Sequence, residues 1–193
     1  MRVGLFGGSF NPAHEGHAHV AETALARLFL HRVVWLVSPQ NPLKGAPAPL
    51  AGRMADAGAF AHGPSMAVSD AEARLDVRFS IDTIRLLKAR HPGVRFVWVM
   101  GADSLAGFHR WRGWTQIFRE LPVAVVARPG GLKALGSPAA RRFAHARLPA
   151  SAARVLPLAK APAWAYLAAP LNHASSTALR VERTPLSKGP GPC

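Results

Sequence analysis

The chain has 193 residues, 49% of them hydrophobic, which suits one domain with a sizeable core and argues against wholesale disorder. Its single cysteine is Cys193, so neither an internal disulfide nor a cysteine-based zinc site is expected, and no apolar run reaches the roughly 18 residues a membrane-spanning helix needs. The formal net charge is +14, with residues 121–193 holding 10 basic side chains against Glu182 alone; such a field attracts polyanions such as nucleotides, RNA or anionic lipid.

In chain order, "MRVGLF" (1–6) reads as a first strand, and the start lacks the pattern of a signal peptide. Glu15 to Leu30 has helical periodicity, with Val20, Ala24 and Leu28 on one face. "RVVWLV" (32–37) is β-branched and apolar throughout, as a buried parallel strand should be. Four prolines make 38–49 a loop. A helix is expected from Leu50 to Ala61 and a short strand over 66–70. Ser80 is placed to cap a helix that runs to about Arg90 and is closed by His91-Pro92-Gly93.

"VRFVWVM" (94–100) is the clearest strand, followed by a short helix over 114–121 and a strand over 122–127. Residues 129–163 are weakly patterned, with one helix expected near 138–147. A last strand is expected over 163–168, then a serine-capped helix over 175–182. The expected organisation is one domain over 1–182 with a flexible tail over 183–193. Trp35 and Trp98 are assigned to the core.

Alternating apolar strands and helices predict an α/β protein, a Rossmann-like doubly wound parallel sheet with helices on both faces. Ligands in such sheets bind at the carboxyl ends of the strands. The polar segments at 7–17, 38–44, 101–112, 128–130 and 172–180 each follow a strand, so five segments should converge on one crevice.

The first of them, "GLFGGSFNPAHEGH" (4–17), carries the most chemistry. Its glycines at 4, 7, 8 and 16 do not fit Gly-x-Gly-x-x-Gly, and no Gly-Lys-Ser/Thr is present. The run His14-Glu15-Gly16-His17 is one residue short of a zincin motif, and nothing completes a zinc site. What remains suits phosphate. Gly7 and Gly8 allow backbone to approach a ligand, and the following helix presents free N–H groups and a positive end. His14 and His17 sit at that end as paired proton donors.

"GGSFNPAHEGH" resembles the signature of nucleotidylyltransferases with a His-x-Gly-His motif. "GADSLAGFHRWRGWTQIF" (101–118), "VVARPGG" (125–131), "FSIDTI" (79–84) and "ASSTALR" (174–180) are similar, in order, to segments of the bacterial nicotinate mononucleotide adenylyltransferases. The resemblance implies transfer of the adenylyl group of ATP to nicotinate mononucleotide, in NAD biosynthesis, in the cytoplasm. It implies His17 as donor to the α-phosphate, His14 beside it on the triphosphate, and Lys44 and Arg180 as further catalytic cations. ATP would also meet Gly7, Gly8, Ser9, Phe10, Asp103, Ser175, Ser176 and Thr177. The mononucleotide would meet Ser9, Lys44, Ser80, Thr83, Trp111 and Arg128. Mg²⁺ would arrive on the ATP phosphates, with no metal held by the protein alone.

Two features depart from the family pattern. Asn41-Pro42-Leu43-Lys44 stands where many members read Pro-Pro-His-Lys, and the sequence after Arg180 is rich in Pro and Gly. Arg110 and Arg112 are either site groups or solvated. Two other readings stay open. One is a sister adenylyltransferase acting on phosphopantetheine or on nicotinamide mononucleotide. The other is a basic nucleic-acid-binding module, although the basic region 128–160 carries only Phe143 as an aromatic and no RNA motif. Specific nucleic-acid binding and membrane association are not expected; monomer and homodimer both remain open.

Overall fold

The computed structural model describes residues 1–39, 47–172, 174–177 and 179. Seven strands form one sheet: β1 (Arg2–Gly8), β2 (Arg32–Val37), β3 (Met66–Ser69), β4 (Arg95–Gly101), β5 (Val123–Val126), β6 (Arg147–Leu148) and β7 (Trp164–Leu167). Their order is β3-β2-β1-β4-β5-β7-β6, and all pairs are parallel. The chain winds outward from β1 in one direction, then returns to β1's other edge with β4. This places the topological switch point between β1 and β4, where Phe6 pairs with Val99.

The central strands are buried on both faces, which explains their unbroken apolar sequence. Along β4, Phe96, Trp98 and Met100 enter one core and Val97 and Val99 the other. Val123 and Val125 of β5 share the first core, Ala124 and Val126 the second. The first core is covered by α4 (Ser80–Arg90), α5 (Ala102–Gly107), α6 (Trp114–Glu120) and α7 (Pro138–Arg142). The second is covered by α1 (Glu15–Arg27), α2 (Leu50–Phe60) and a 3₁₀ segment over Ala150–Leu158. The expected doubly wound sheet is therefore present, and Trp35 and Trp98 are fully buried as expected.

Several local readings need correction. The predicted cap of α4 is displaced: Phe79 is the N-cap, Ser80 is the first helical residue, and the cap makes no side-chain bond. The hydroxyl of Ser80 is drawn instead to Glu72 on a helix missing from the sequence reading, α3 (Ala71–Arg74). The helix expected near 138–147 stops at Arg142, followed by a 3₁₀ turn and the two-residue β6. Its true start has the expected chemistry, because Ser137 accepts from Ala140 N and Pro138 occupies the first turn. The expected helix over 175–182 and tail over 183–193 lie mostly outside the described residues; Leu179 N donates to Ser175 O at 3.1 Å. Among the described residues no helix is long and apolar enough to cross a membrane.

Candidate active site

A cleft of about 450 Å³ opens at the carboxyl ends of β1 and β4, at the switch point. Its floor is the end of β1. A Cβ on Gly7 would run into the indole of Trp98, which crosses beneath the strand. Only glycine lets the strand and that ring pack there, and this keeps the turn after β1 low. The turn itself is strained. Phe10 has φ 43°, which for a side-chain-bearing residue costs about 1–2 kcal/mol. Packing offsets this: the Phe10 ring is buried, edge-on to Phe6 at 5.3 Å and to the His17 imidazole at 5.0 Å between centroids.

His14 is the N-cap of α1, and its Nδ1 accepts from Gly16 N at 3.1 Å. An accepting Nδ1 carries no proton, so the neutral ring holds its hydrogen on Nε2. Burial, followed by the positive charge of Arg128, lowers the His14 pKa to about 4, while Asp103 pulls the other way. His14 is thus a neutral donor near pH 7, not an imidazolium. The His17 ring lies 3.9 Å from the His14 ring, centroid to centroid, and both line the cleft. At the head of α1 Gly16 N donates to His14 Nδ1 and His17 N to His14 O at 2.8 Å, so the two rings stand at the positive end of the helix dipole, which favours an anion.

Gly16 between them is a close-approach position of a second kind. A Cβ there would meet the Arg128 guanidinium and come within 2.9 Å of Ala174 O. Arg128, buried at the end of β5, donates to Asn172 O at 2.7 Å and to Ala174 O. Ser176 Oγ donates to Pro12 O at 2.9 Å. The 174–177 wall is therefore stitched to the β1–α1 turn by Arg128 and Ser176. The sequence reading offers both as direct ligand contacts; the structure gives the Arg128 fork and the Ser176 proton backbone partners. Ser175, Ser176 and Thr177 still line the cleft.

The opposite wall follows β4. Asp103 lies in the first turn of α5, exposed and facing the cleft, and it does not cap the helix, whose N-cap is Gly101. Trp111 lines the cleft while leaning on Phe108 at 5.1 Å and on Trp98 at 6.4 Å between centroids. Its position is fixed by that packing. Ser80 is at the surface of the cleft, but Thr83 is fully buried behind it, with Oγ1 donating to Glu72 Oε1 at 3.3 Å. Gly7, Gly8, Ser9 and Phe10 line the floor. Lys44 and Arg180 lie outside the described residues.

Sequence reasoning missed part of the lining. Glu72, Arg78 and Phe79 line the cleft with Arg110 and Arg112. The Arg112 guanidinium stands 4.7 Å over the Phe79 ring and that of Arg78 at 5.7 Å. Glu72 is buried at 2% exposure, and burial raises its pKa against the opposing pull of the Ser38, Thr83 and Ser80 hydroxyls. No sequence signal marks it, since 71–78 carries no repeat or motif. Among the described residues no group of three or more His, Cys, Asp or Glu is arranged to hold a metal.

A parallel sheet with a paired-histidine helix start at its switch point defines a nucleotide-binding α/β protein of the nucleotidylyltransferase type. The model of the cytidylyltransferase-like family matches residues 5–182. A curated protein of Caulobacter sp. (strain K31), named "Probable nicotinate-nucleotide adenylyltransferase", is 69% identical over 187 residues, 95% of this chain and 99% of that one. One of the same name from Methylorubrum extorquens is 53% identical, covering 93% of this chain and 99% of its own. The chain belongs to the cytidylyltransferase-like family, within its nicotinate-nucleotide adenylyltransferases. Among solved structures, the fold is similar to the Plasmodium falciparum nicotinic acid mononucleotide adenylyltransferase complexed with NaAD. That match has a TM-score of 0.68 at 15% identity, covering 93% of this chain and 82% of that one.

Proposed function

We propose that this cleft transfers the adenylyl group of ATP to nicotinate mononucleotide, releasing pyrophosphate and leaving nicotinate adenine dinucleotide. The observation that carries the reading is the His14–His17 pair, 3.9 Å between ring centroids, at the start of α1 and the end of β1. A phosphate oxygen of the mononucleotide forms a bond to the α-phosphorus of ATP as the bond to the pyrophosphate oxygen breaks. The protein need supply no covalent nucleophile; it must align the two phosphates and spread the charge of the five-coordinate α-phosphate.

In this reading His17 donates to the α-phosphate as charge develops there. His14, neutral with its proton on Nε2, adds a second donor without the cost of burying a cation. The glycine floor and the turn at Ser9 and Phe10 bring backbone against the phosphates. Lys44, Arg180 and the 175–177 wall bind the triphosphate, and Asp103 contacts nucleotide. Trp111 stacks on the pyridine ring with Ser80 nearby, while Thr83 acts from behind. Arg78, Arg110 and Arg112 make that end of the cleft cationic, which favours an acid over an amide.

Magnesium fits here as part of the substrate. Among the described residues Asp103 is the exposed carboxylate lining the cleft, and Glu72 is occupied by hydroxyls. One carboxylate plus phosphate oxygens suits Mg²⁺ brought by ATP and screening its charge.

The test is an acceptor panel with MgATP, read by pyrophosphate release: nicotinate mononucleotide, its amide, and phosphopantetheine. Release is expected to depend on ATP and to be fastest with the acid. Faster turnover on either other acceptor, or none with the acid, overturns the reading.

A further inference from the structure

Two buried charged side chains support the cleft, and the transfer chemistry as described does not use them. Arg53 on α2 is 1% exposed. Its Nε donates to Ala48 O at 2.8 Å, one terminal nitrogen to Ser9 O at 2.8 Å and Ser38 O at 2.6 Å, and the other to Pro39 O at 3.0 Å. Among the described residues every partner is a neutral backbone carbonyl. Among the described residues no ion pair involves Arg53, and burial pulls its pKa below the ordinary guanidinium value. A guanidinium buried this way is tolerated only while its N–H groups are satisfied.

Glu72 on α3 is 2% exposed and accepts from Ser80 Oγ at 3.4 Å and from Thr83 Oγ1 at 3.3 Å. The Ser38 hydroxyl also bonds to it. Ser38 is therefore held twice, its carbonyl by Arg53 and its hydroxyl by Glu72. The path Ser9–Arg53–Ser38–Glu72–Ser80 joins the turn that precedes the two histidines to the head of α4.

These two walls belong to opposite layers. The turn after β1 and helix α2 rest on one core, through Phe10 and Ala57; α3 and α4 rest on the other, through Ala71, Ile81 and Ile84. Neither core by itself sets one wall against the other. In the proposed reaction one wall carries ATP and the other the acceptor, and an error of about 1 Å in their spacing costs on the order of a hundredfold in rate.

We propose that Arg53 and Glu72, joined through Ser38, are positioning residues that hold the ATP-side turn in register with the acceptor-side head of α4. This rests on the adenylyl-transfer reading. Burial raises the Glu72 pKa while the Ser38, Thr83 and Ser80 hydroxyls oppose that shift.

The experiment measures pyrophosphate release with MgATP and nicotinate mononucleotide for wild type, Glu72→Met, Glu72→Gln, Arg53→Met and the Arg53→Met/Glu72→Met double variant. Each methionine variant is expected to lose about tenfold or more in kcat with each KM within about threefold, and Glu72→Gln to recover most of the rate. The double variant is expected to be within about threefold of the worse single one, because both break one network. A folded Glu72→Met with wild-type kcat, or a double variant equal to the product of the singles, overturns the proposal.

Should the methionine variants not fold, Ser38→Ala removes one hydroxyl only. It is expected to lower kcat about threefold or more, and unchanged kcat overturns the network. An independent readout separates this proposal from the reading beneath it. Hydrogen exchange at the amides of residues 8–10 should quicken in Glu72→Met, or in Ser38→Ala, although Glu72 is bonded to the other wall. Unchanged exchange sinks the network; a wild type that releases no pyrophosphate sinks the reading of function instead.

Discussion

Acidification should destabilise the protein through His14, and the size of the effect follows from the fold. The ring is 5% exposed and its Nδ1 is occupied by Gly16 N–H. Its pKa falls from 6.5 to about 4, first through burial and then through Arg128. The folded state therefore binds fewer protons than the unfolded chain between those values, and stability falls as pH falls. The contribution is whole above pH 6.5, declines below it and is exhausted below about 4. At 1.36 kcal/mol per unit, the full loss is about 3 kcal/mol, with about 2 kcal/mol gone by pH 5. For a domain of this size that is a drop of about 4–8 °C in Tm at pH 5.

The assay compares thermal unfolding of wild type and His14→Asn from pH 7 to 4.5. Asparagine also caps a helix but does not titrate there. The wild-type curve should fall more steeply by about 1.2 kcal/mol per pH unit between pH 6 and 4.5. Parallel curves, or an imidazole of His14 titrating near 6.5 by NMR, would refute the argument.

Other outcomes follow from the cleft. His17→Ala should lower kcat about a hundredfold to a thousandfold, with Tm within a few degrees of wild type, since it removes one donor to a developing charge; an unchanged rate removes His17 from the chemistry. Gly16→Ala should displace Arg128 from Asn172 and Ala174, costing about 2–4 kcal/mol in stability and raising KM for ATP as the 174–177 wall detaches; calorimetry and initial rates check both. Trp111→Ala should raise KM for the mononucleotide about tenfold with KM for ATP little changed, in line with roughly 1–3 kcal/mol for a stacked base; equal effects on both would place Trp111 in general packing.

The central strands were legible because they are buried on both faces. "RVVWLV" and "RFVWVM" contain no polar residue after the first, and each strand end could be found within a residue or two. The short elements were not legible. Helix α3 has four residues and no repeat of its periodicity, and the Ser80 cap failed because the hydroxyl bonds to a carboxylate eight residues earlier. Arg53 looks like a solvated residue of an amphipathic helix, and nothing local says that its fork reaches residues 9, 38, 39 and 48.

By itself, the sequence determined the parallel α/β architecture, the location of the site after the strands, and the glycine and histidine chemistry of the first turn. These depend on residue type and on spacing within one segment. The tertiary structure alone decided which side chains line the cleft and which brace its walls. Arg128 and Ser176 turned out to bind backbone 46 and 164 residues away, Thr83 went behind the wall, and Glu72 and Arg53 became its ties. The reason is physical: a polar side chain is assigned by the nearest partner that satisfies it, and in a doubly wound sheet that partner is usually on another element.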